Sequence, residues 1–266
     1  MTAAETLQRC ARAPRFEDLR GKVAVVTGGS RGIGAATCLA LARIGVRLVI
    51  SGRDPAALQA SLAAVQAEGG EAIAIAADCA DLAQMQVLRE RTEARFGVPD
   101  CVLAFAGGGT SRPMPLQDID EADWRSSLDN NLTATFFTLK VFLPGMLARG
   151  SGGLLTMASA GARVAAGAPA AYAAAKAGVI TLTRHLAQEV GPRGLRVNCL
   201  SPSAVLTERT RTAMPPERRA EMLAGFPLGR LGEPDDVAAA ALFLLSEASD
   251  WITGVVLDVA GGRVMV

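Results

Sequence analysis

Tyr172 and Lys176 stand four residues apart in Ala171-Tyr172-Ala173-Ala174-Ala175-Lys176. On a helix, positions i and i+4 share one face, so this spacing stacks a phenol and an ammonium one turn apart. A tyrosine ordinarily loses its proton near pH 10, so exchanging one near pH 7 needs about 4 kcal/mol of preferential stabilisation of the phenolate. One ammonium at about 4 Å, at an effective dielectric of about 20, supplies energy of that order. The pair reads as a lysine-tuned phenol that trades a proton with a substrate oxygen; the plain alternative is an exposed Lys beside a half-buried Tyr.

A second constellation lies near the start of the chain. The apolar, β-branched run Val23-Ala24-Val25-Val26-Thr27 leads into Gly28-Gly29-Ser30-Arg31-Gly32-Ile33-Gly34 and then into the Ala/Leu-rich stretch from Ala35 to Ile44. That order predicts strand, glycine turn, helix. Glycines let the backbone turn tightly and approach a ligand without a Cβ, and the free N–H groups of a helix start favour a pyrophosphate. The expected guest is a dinucleotide, with an ordinary tight turn as the alternative. An acidic residue at the end of the second strand would bind ribose hydroxyls and repel a ribose phosphate. Here the chain reads Ser51-Gly52-Arg53. Arg53 and Arg31 suit a 2′-phosphate through charge-assisted hydrogen bonds, so NADP(H) is expected over NAD(H).

Positioning these groups requires a scaffold. Strand-like runs at Val23 to Thr27, Arg47 to Ile50, Ala72 to Ala76, Cys101 to Phe105, Gly153 to Met157, Leu195 to Leu200 and Val255 to Val259 alternate with helical stretches. Such alternation predicts an α/β fold, a seven-stranded parallel sheet with helices on both faces and ligands at the strand carboxyl ends. The expected organisation is an N-terminal extension, 1–20, read as a tail or short extra helix, followed by one doubly wound domain, 21–266. The segment Leu206 to Gly229 is expected to form a lid carrying Arg209, Arg211, Arg218 and Arg219.

These motifs resemble the short-chain dehydrogenase/reductase family, with its TGxxxGxG cofactor turn (Thr27 to Gly34) and YxxxK pair (Tyr172 to Lys176). The resemblance extends to Ser159, thirteen residues before Tyr172, and to Asn131 in Asn131-Leu132-Thr133-Ala134-Thr135-Phe136. It reaches Pro202 and Thr207 after Arg196-Val197-Asn198, and the closing segment from Trp251 to Gly262. Two departures stand out: Ala104-Phe105-Ala106-Gly107 replaces NNAG, and Ser203 replaces the glycine of PG. The resemblance implies a Rossmann fold and hydride transfer between nicotinamide and a carbonyl or secondary alcohol. Tyr172 would carry the proton, Ser159 would polarise the oxygen, Lys176 would stabilise the phenolate and hold the nicotinamide ribose, and Asn131 would support a proton route. It further implies cofactor contacts from Gly28, Ser30, Arg31, Gly32, Ile33, Gly34, Arg53, Asp78, Cys79, Ala106, Gly107, Pro202, Val205 and Thr207. Asp78 is equally readable as a helix cap. The substrate reading is a ketone or 3-oxoacyl thioester, the latter with Arg149 and Arg193 toward an acyl carrier protein. The alternatives are an alcohol, sugar or steroid dehydrogenase and a catalytically silent nucleotide-binding regulator. The family implies a homotetramer.

Composition narrows the classes. The formal net charge of +1 argues against a nucleic-acid surface. Cysteines at 10, 38, 79, 101 and 199 make no CxxC pair, and His185 is the only histidine, so no disulfide framework or metal site is expected and a cytoplasmic setting fits. No uninterrupted apolar run suggests a membrane span.

Overall fold

The computed structural model describes residues 16–109, 113–164 and 167–265. Seven parallel strands form one sheet in the order β3-β2-β1-β4-β5-β6-β7. They are β1 (Val23–Thr27), β2 (Arg47–Gly52), β3 (Ala72–Ala76), β4 (Cys101–Ala104), β5 (Gly152–Met157), β6 (Leu195–Pro202) and β7 (Val256–Val259). The apolar, β-branched composition of β1 lets it lie fully buried between two neighbours. Its register runs Val25 to Val49 of β2 on one side and Val25 to Val102 of β4 on the other. The order reverses there, so crossovers leave β1 and β4 in opposite directions and a crevice opens at the carboxyl edge. The expected β4 stops one residue short, at Ala104, while β2 and β6 each run two residues further than their apolar cores.

Alternation along the strands divides the core between two faces. Ala24 and Val26 pack with Leu41 of α1 (Gly32–Ile44), Leu58 of α2 (Pro55–Ala67) and Val237 and Ala241. Val25 and Val49 turn the other way, toward Met85 and Leu88 of α3 (Leu82–Phe96) and Phe142 and Met146. The second layer is completed by α4 (Glu121–Leu128), α5 (Ala134–Arg149) and α6 (Ala170–Val190). Two short helices, α7 (Glu208–Ala213) and α8 (Pro216–Leu223), form the segment expected as a lid, and α9 (Pro234–Leu245) returns to the sheet. The helical run Glu121–Arg149 is long and apolar enough by composition to cross a membrane. Phe142 and Met146 within it are fully buried, so its apolar face belongs to the core of this fold.

The assigned N-terminal boundary shifts. Residues 17–19 form a 3-10 turn whose Leu19 is buried in the core, and the Asp18 carboxylate accepts from the Glu247 N–H at 2.8 Å. The last residues of the expected extension, 16–20, are therefore part of the folded body, and residues 1–15 lie outside the described ones.

Candidate active site

The glycine turn is built so that backbone touches backbone. Gly28, directly after β1, has φ +68, and a Cβ there would stand 2.8 Å from the Phe105 carbonyl oxygen. At Gly34 a Cβ would stand 2.1 Å from the Gly28 carbonyl oxygen, so α1 can start this close to the strand only without one. The backbone of Arg31, the cap of α1, is extended and no side chain caps the helix, which leaves its first N–H groups for an anion. Gly32, at φ +53, lies under Thr207, where a Cβ on the glycine would stand 3.0 Å from Thr207 Cγ2. Ser30 faces the end of β2, Ile33 packs on the core, and the cradle fits a dinucleotide pyrophosphate.

At the end of β2, Arg53 donates to Asn130 Oδ1 at 3.1 Å and lies 4.0 Å from the Asp78 carboxylate. Asp78 caps its own turn by accepting from the Ala80 N–H, while Asp81 caps α3. Arg31 pairs with Asp54, the cap of α2. Both arginines remain largely exposed. Cys79 is a core thiol, pushed up to about 11 mainly by burial.

The proton-handling candidates converge beyond β4 and β5. Asn131 sits in a π-helical turn (Asp129–Thr133) between α4 and α5 and is fully buried. Its amide clamps the loop after β4, with Oδ1 accepting from the Gly108 N–H at 2.9 Å and Nδ2 donating to the Ser127 carbonyl at 2.9 Å and the Gly108 carbonyl at 3.3 Å. Gly107, at φ +141, fills the gap between Asn131 and Lys176: a Cβ would be 2.6 Å from Asn131 Oδ1 and 3.2 Å from Lys176 Nζ. Ser159 follows β5 by two residues and accepts from the Gly161 N–H at 3.2 Å.

One sequence expectation changes here. Lys176 Nζ does lie on the Tyr172 side of α6, 5.8 Å from the ring centroid, but it donates to the Met157 carbonyl at 2.8 Å. Burial brings its ammonium down to about 8. Burial also pushes the Tyr172 phenol up, against a hydrogen bond with Ser159 and the positive field of Arg209, which both pull it down. Among the chain's own groups, desolvation therefore outweighs the expected tuning by lysine, because the ammonium faces a backbone carbonyl rather than the phenolic oxygen.

The loop after β6 completes the site. Pro202 ends the strand, Val205 bridges to Gly232, and Thr207 caps α7 by accepting from the Thr210 N–H at 3.3 Å. Ser203 in place of glycine causes no distortion: its N–H donates to the Val259 carbonyl at 3.2 Å, and Phe16 alone among the described non-glycine residues has positive φ. Phe105, in place of an asparagine, is buried in the core, and the Ala106 N–H donates to Thr27 Oγ1 at 3.4 Å. Sequence reasoning missed the contact of Arg209 with Gly108; the run Gly107-Gly108-Gly109 was the available signal, since it marks a loop that something approaches closely. His185 is exposed on α6, away from these contacts.

Residues 28–263 match the family model described as enoyl-(acyl carrier protein) reductase. D-threitol dehydrogenase of Mycolicibacterium smegmatis is 38% identical over 244 residues, covering 92% of this chain and 93% of that protein. A 3-oxoacyl-[acyl-carrier-protein] reductase of Synechocystis sp. is 37% identical over 250 residues, covering 93% and 98%. The structure of 7 alpha-hydroxysteroid dehydrogenase complexed with NADH and 7-oxo glycochenodeoxycholic acid aligns with a TM-score of 0.89 at 32% identity, covering 94% of this chain and 97% of that one. The agreement covers more than nine-tenths of the chain in sequence and in fold, and the chain belongs to the short-chain dehydrogenase/reductase family, oxidoreductases of CH–OH and C=O groups that use NAD(P)(H).

Proposed function

We propose that this enzyme works as an NADP(H)-dependent ketone reductase. The observation that carries the reading is the placement of Tyr172, with Lys176 Nζ 5.8 Å from its ring, and of Ser159, two residues past β5, at the carboxyl edge of the sheet, where the glycine cradle also opens. A bound nicotinamide supplies the hydride that reaches the carbonyl carbon. Tyr172 Oη gives its proton to the carbonyl oxygen, and the Ser159 hydroxyl orients and polarises that oxygen. Burial favours the protonated phenol, the form that reduction consumes. Lys176 lies beside the ring and would hold a nicotinamide ribose, while Asn131 positions the Gly107-Gly108 loop.

The NADP(H) preference rests on the absence of a carboxylate at Gly52 and on the exposed guanidiniums of Arg53 and Arg31, which can exchange Asn130 and Asp54 for a phosphate. Asp78, Cys79, Ala106, Pro202, Val205 and Thr207 are assigned to the remaining cofactor contacts. A small ketone is favoured over a carrier-bound thioester by the engagement of Arg149 with the Val98 and Pro99 carbonyls at 2.8 and 2.7 Å. Arg193 likewise turns inward, to the Leu147 carbonyl at 3.4 Å. A cytoplasmic homotetramer completes the proposal, supported by the wholly exposed Trp251 and the half-exposed Phe136 outside the core. Light scattering tests it, and a monomer at micromolar concentration would exclude it.

The central test is a panel of ketones and alcohols read by nicotinamide absorbance, with NADPH and NADH in parallel. Tyr172→Phe should nearly abolish turnover and leave NADPH binding measurable. Full activity in that variant removes the phenol from the mechanism, and equal affinity for the two cofactors removes the phosphate preference.

A further inference from the structure

The arginines of the lid divide by what they touch. Arg211 forms a two-pronged pair with Glu233, at 2.7 and 2.9 Å, and Arg219 donates to the Met214 carbonyl at 2.9 Å and to the Arg211 carbonyl. These two hold α7 and α8 together and to the body. Arg209 does neither. Its guanidinium lies across the loop after β4, where a Cβ on Gly108 would be 2.9 Å from Nη2, 3.0 Å from Nη1 and 3.4 Å from Cζ. Three atoms at such similar distances mean that the planar group covers the glycine, whose φ of +142 is itself a backbone conformation that favours glycine. The next residue, Gly109, lies beside the Tyr172 ring, with a Cβ there 4.0 Å from Cδ2. The floor beneath Arg209 is rigid, because Asn131 bonds both the N–H and the carbonyl of Gly108. Among the described residues, no carboxylate lies within ion-pair distance of Arg209, whereas Arg211, Arg230 and Arg163 all have one.

We infer that Arg209 recognises an anionic group on the substrate, so that the enzyme reduces short oxo acids whose carboxylate lies a few bonds from the reacting carbonyl. The inference deepens the proposed ketone reductase and rests on Tyr172 marking the reacting oxygen. A guanidinium fork matches a carboxylate in shape as well as charge, and the Arg209 side chain is exposed, open to a ligand. The cofactor pyrophosphate is a second source of negative charge, but its cradle is the turn at Gly28 to Gly34, over which Thr207 already sits two residues before Arg209. The positive field that Arg209 casts on the Tyr172 phenol agrees with both side chains lying against adjacent residues of the Gly108-Gly109 loop.

The test uses matched 2-, 3- and 4-oxo acids and their methyl esters with NADPH, on the wild type, Arg209→Gln and Arg209→Lys, with the NADPH dissociation constant measured for each. The wild type should prefer at least one acid over its ester. Arg209→Gln should lower kcat/KM for that acid about 10- to 100-fold more than for the ester, the range of one charge-assisted hydrogen-bond pair, chiefly through KM. Arg209→Lys should restore part of the preference, and NADPH affinity should change less than about threefold, a change worth under half of one tenfold step. An unchanged acid-to-ester ratio overturns the inference. So does a loss of NADPH affinity equal to the loss on the acid, which would place the guanidinium on the pyrophosphate. Turnover of neutral ketones with no acid preferred also overturns it while leaving the reductase reading intact. If no carbonyl or alcohol reacts in either direction, the reading of Tyr172 itself fails.

Discussion

Lys176 should weaken the fold that it serves, and the effect has a definite pH window. Its ammonium is buried and brought from 10.5 down to about 8. Between those values the unfolded chain still holds the Lys176 proton that the folded chain has released, so the contribution of this group to stability rises with pH across the window. Below about 8 both states are protonated and the full penalty applies, on the order of 3 kcal/mol from the shift. Lys176→Met removes the charge and fills a similar volume, but it also removes the bond to the Met157 carbonyl, a loss of about 1–3 kcal/mol for a buried acceptor. At pH 7 the variant should therefore match the wild type or exceed it by up to about 2 kcal/mol, the difference of these two effects. Near pH 10.5 it should fall behind, because the wild type gains roughly 3 kcal/mol from this group over the interval and the variant does not. Urea unfolding of both proteins at several pH values reads this directly. The buried thiols of Cys38, Cys79, Cys101 and Cys199 are all pushed up and lower the stability of both proteins as pH rises over the same interval, so the wild-type-minus-variant difference isolates Lys176. A wild-type-minus-variant difference that stays constant within about 1 kcal/mol, a third of the shift expected by linkage, refutes the argument.

Two further perturbations probe the frame around the site. Gly34→Ala places a methyl 2.1 Å from the Gly28 carbonyl oxygen, with backbone on both sides of the clash. It should cost about 1–3 kcal/mol of stability and at least about tenfold in NADPH affinity; unchanged affinity by fluorescence titration would mean that the turn does not hold the cofactor. The Arg196 guanidinium donates to the Leu244, Leu245, Ser246 and Ile252 carbonyls and to Ser249 Oγ, satisfying the carboxyl end of α9. Arg196→Met should lower stability by roughly 2–4 kcal/mol with little change in KM, and a urea midpoint equal to the wild type would show that water replaces those bonds at no cost.

The strands were legible because their physics is local. A parallel strand buried on both faces reads as a short apolar run, and Val23 to Thr27 announces itself that way, whereas Leu195 to Leu200 alternates apolar residues with Arg196 and Asn198. Their ends were less legible: Gly52 and Pro202 continue β2 and β6 through hydrogen bonds to neighbouring strands, partners distant in the chain. The glycine turn and the four-residue step from Tyr172 to Lys176 could likewise be read from spacing. The partners of those side chains could not.

Where the chain carries its reactive groups, and that a glycine turn precedes a helix, followed from order and spacing alone. Which atom each group faces was decided by tertiary packing. The Met157 carbonyl accepts a hydrogen bond from Lys176 Nζ, burial outweighs lysine in setting the Tyr172 phenol, and Arg209 settles on Gly108 rather than pairing as Arg211 does. The physical reason is that helical periodicity sets the direction of a side chain within its own element, whereas charge, desolvation and hydrogen-bond partner depend on elements that only the folded sheet brings together.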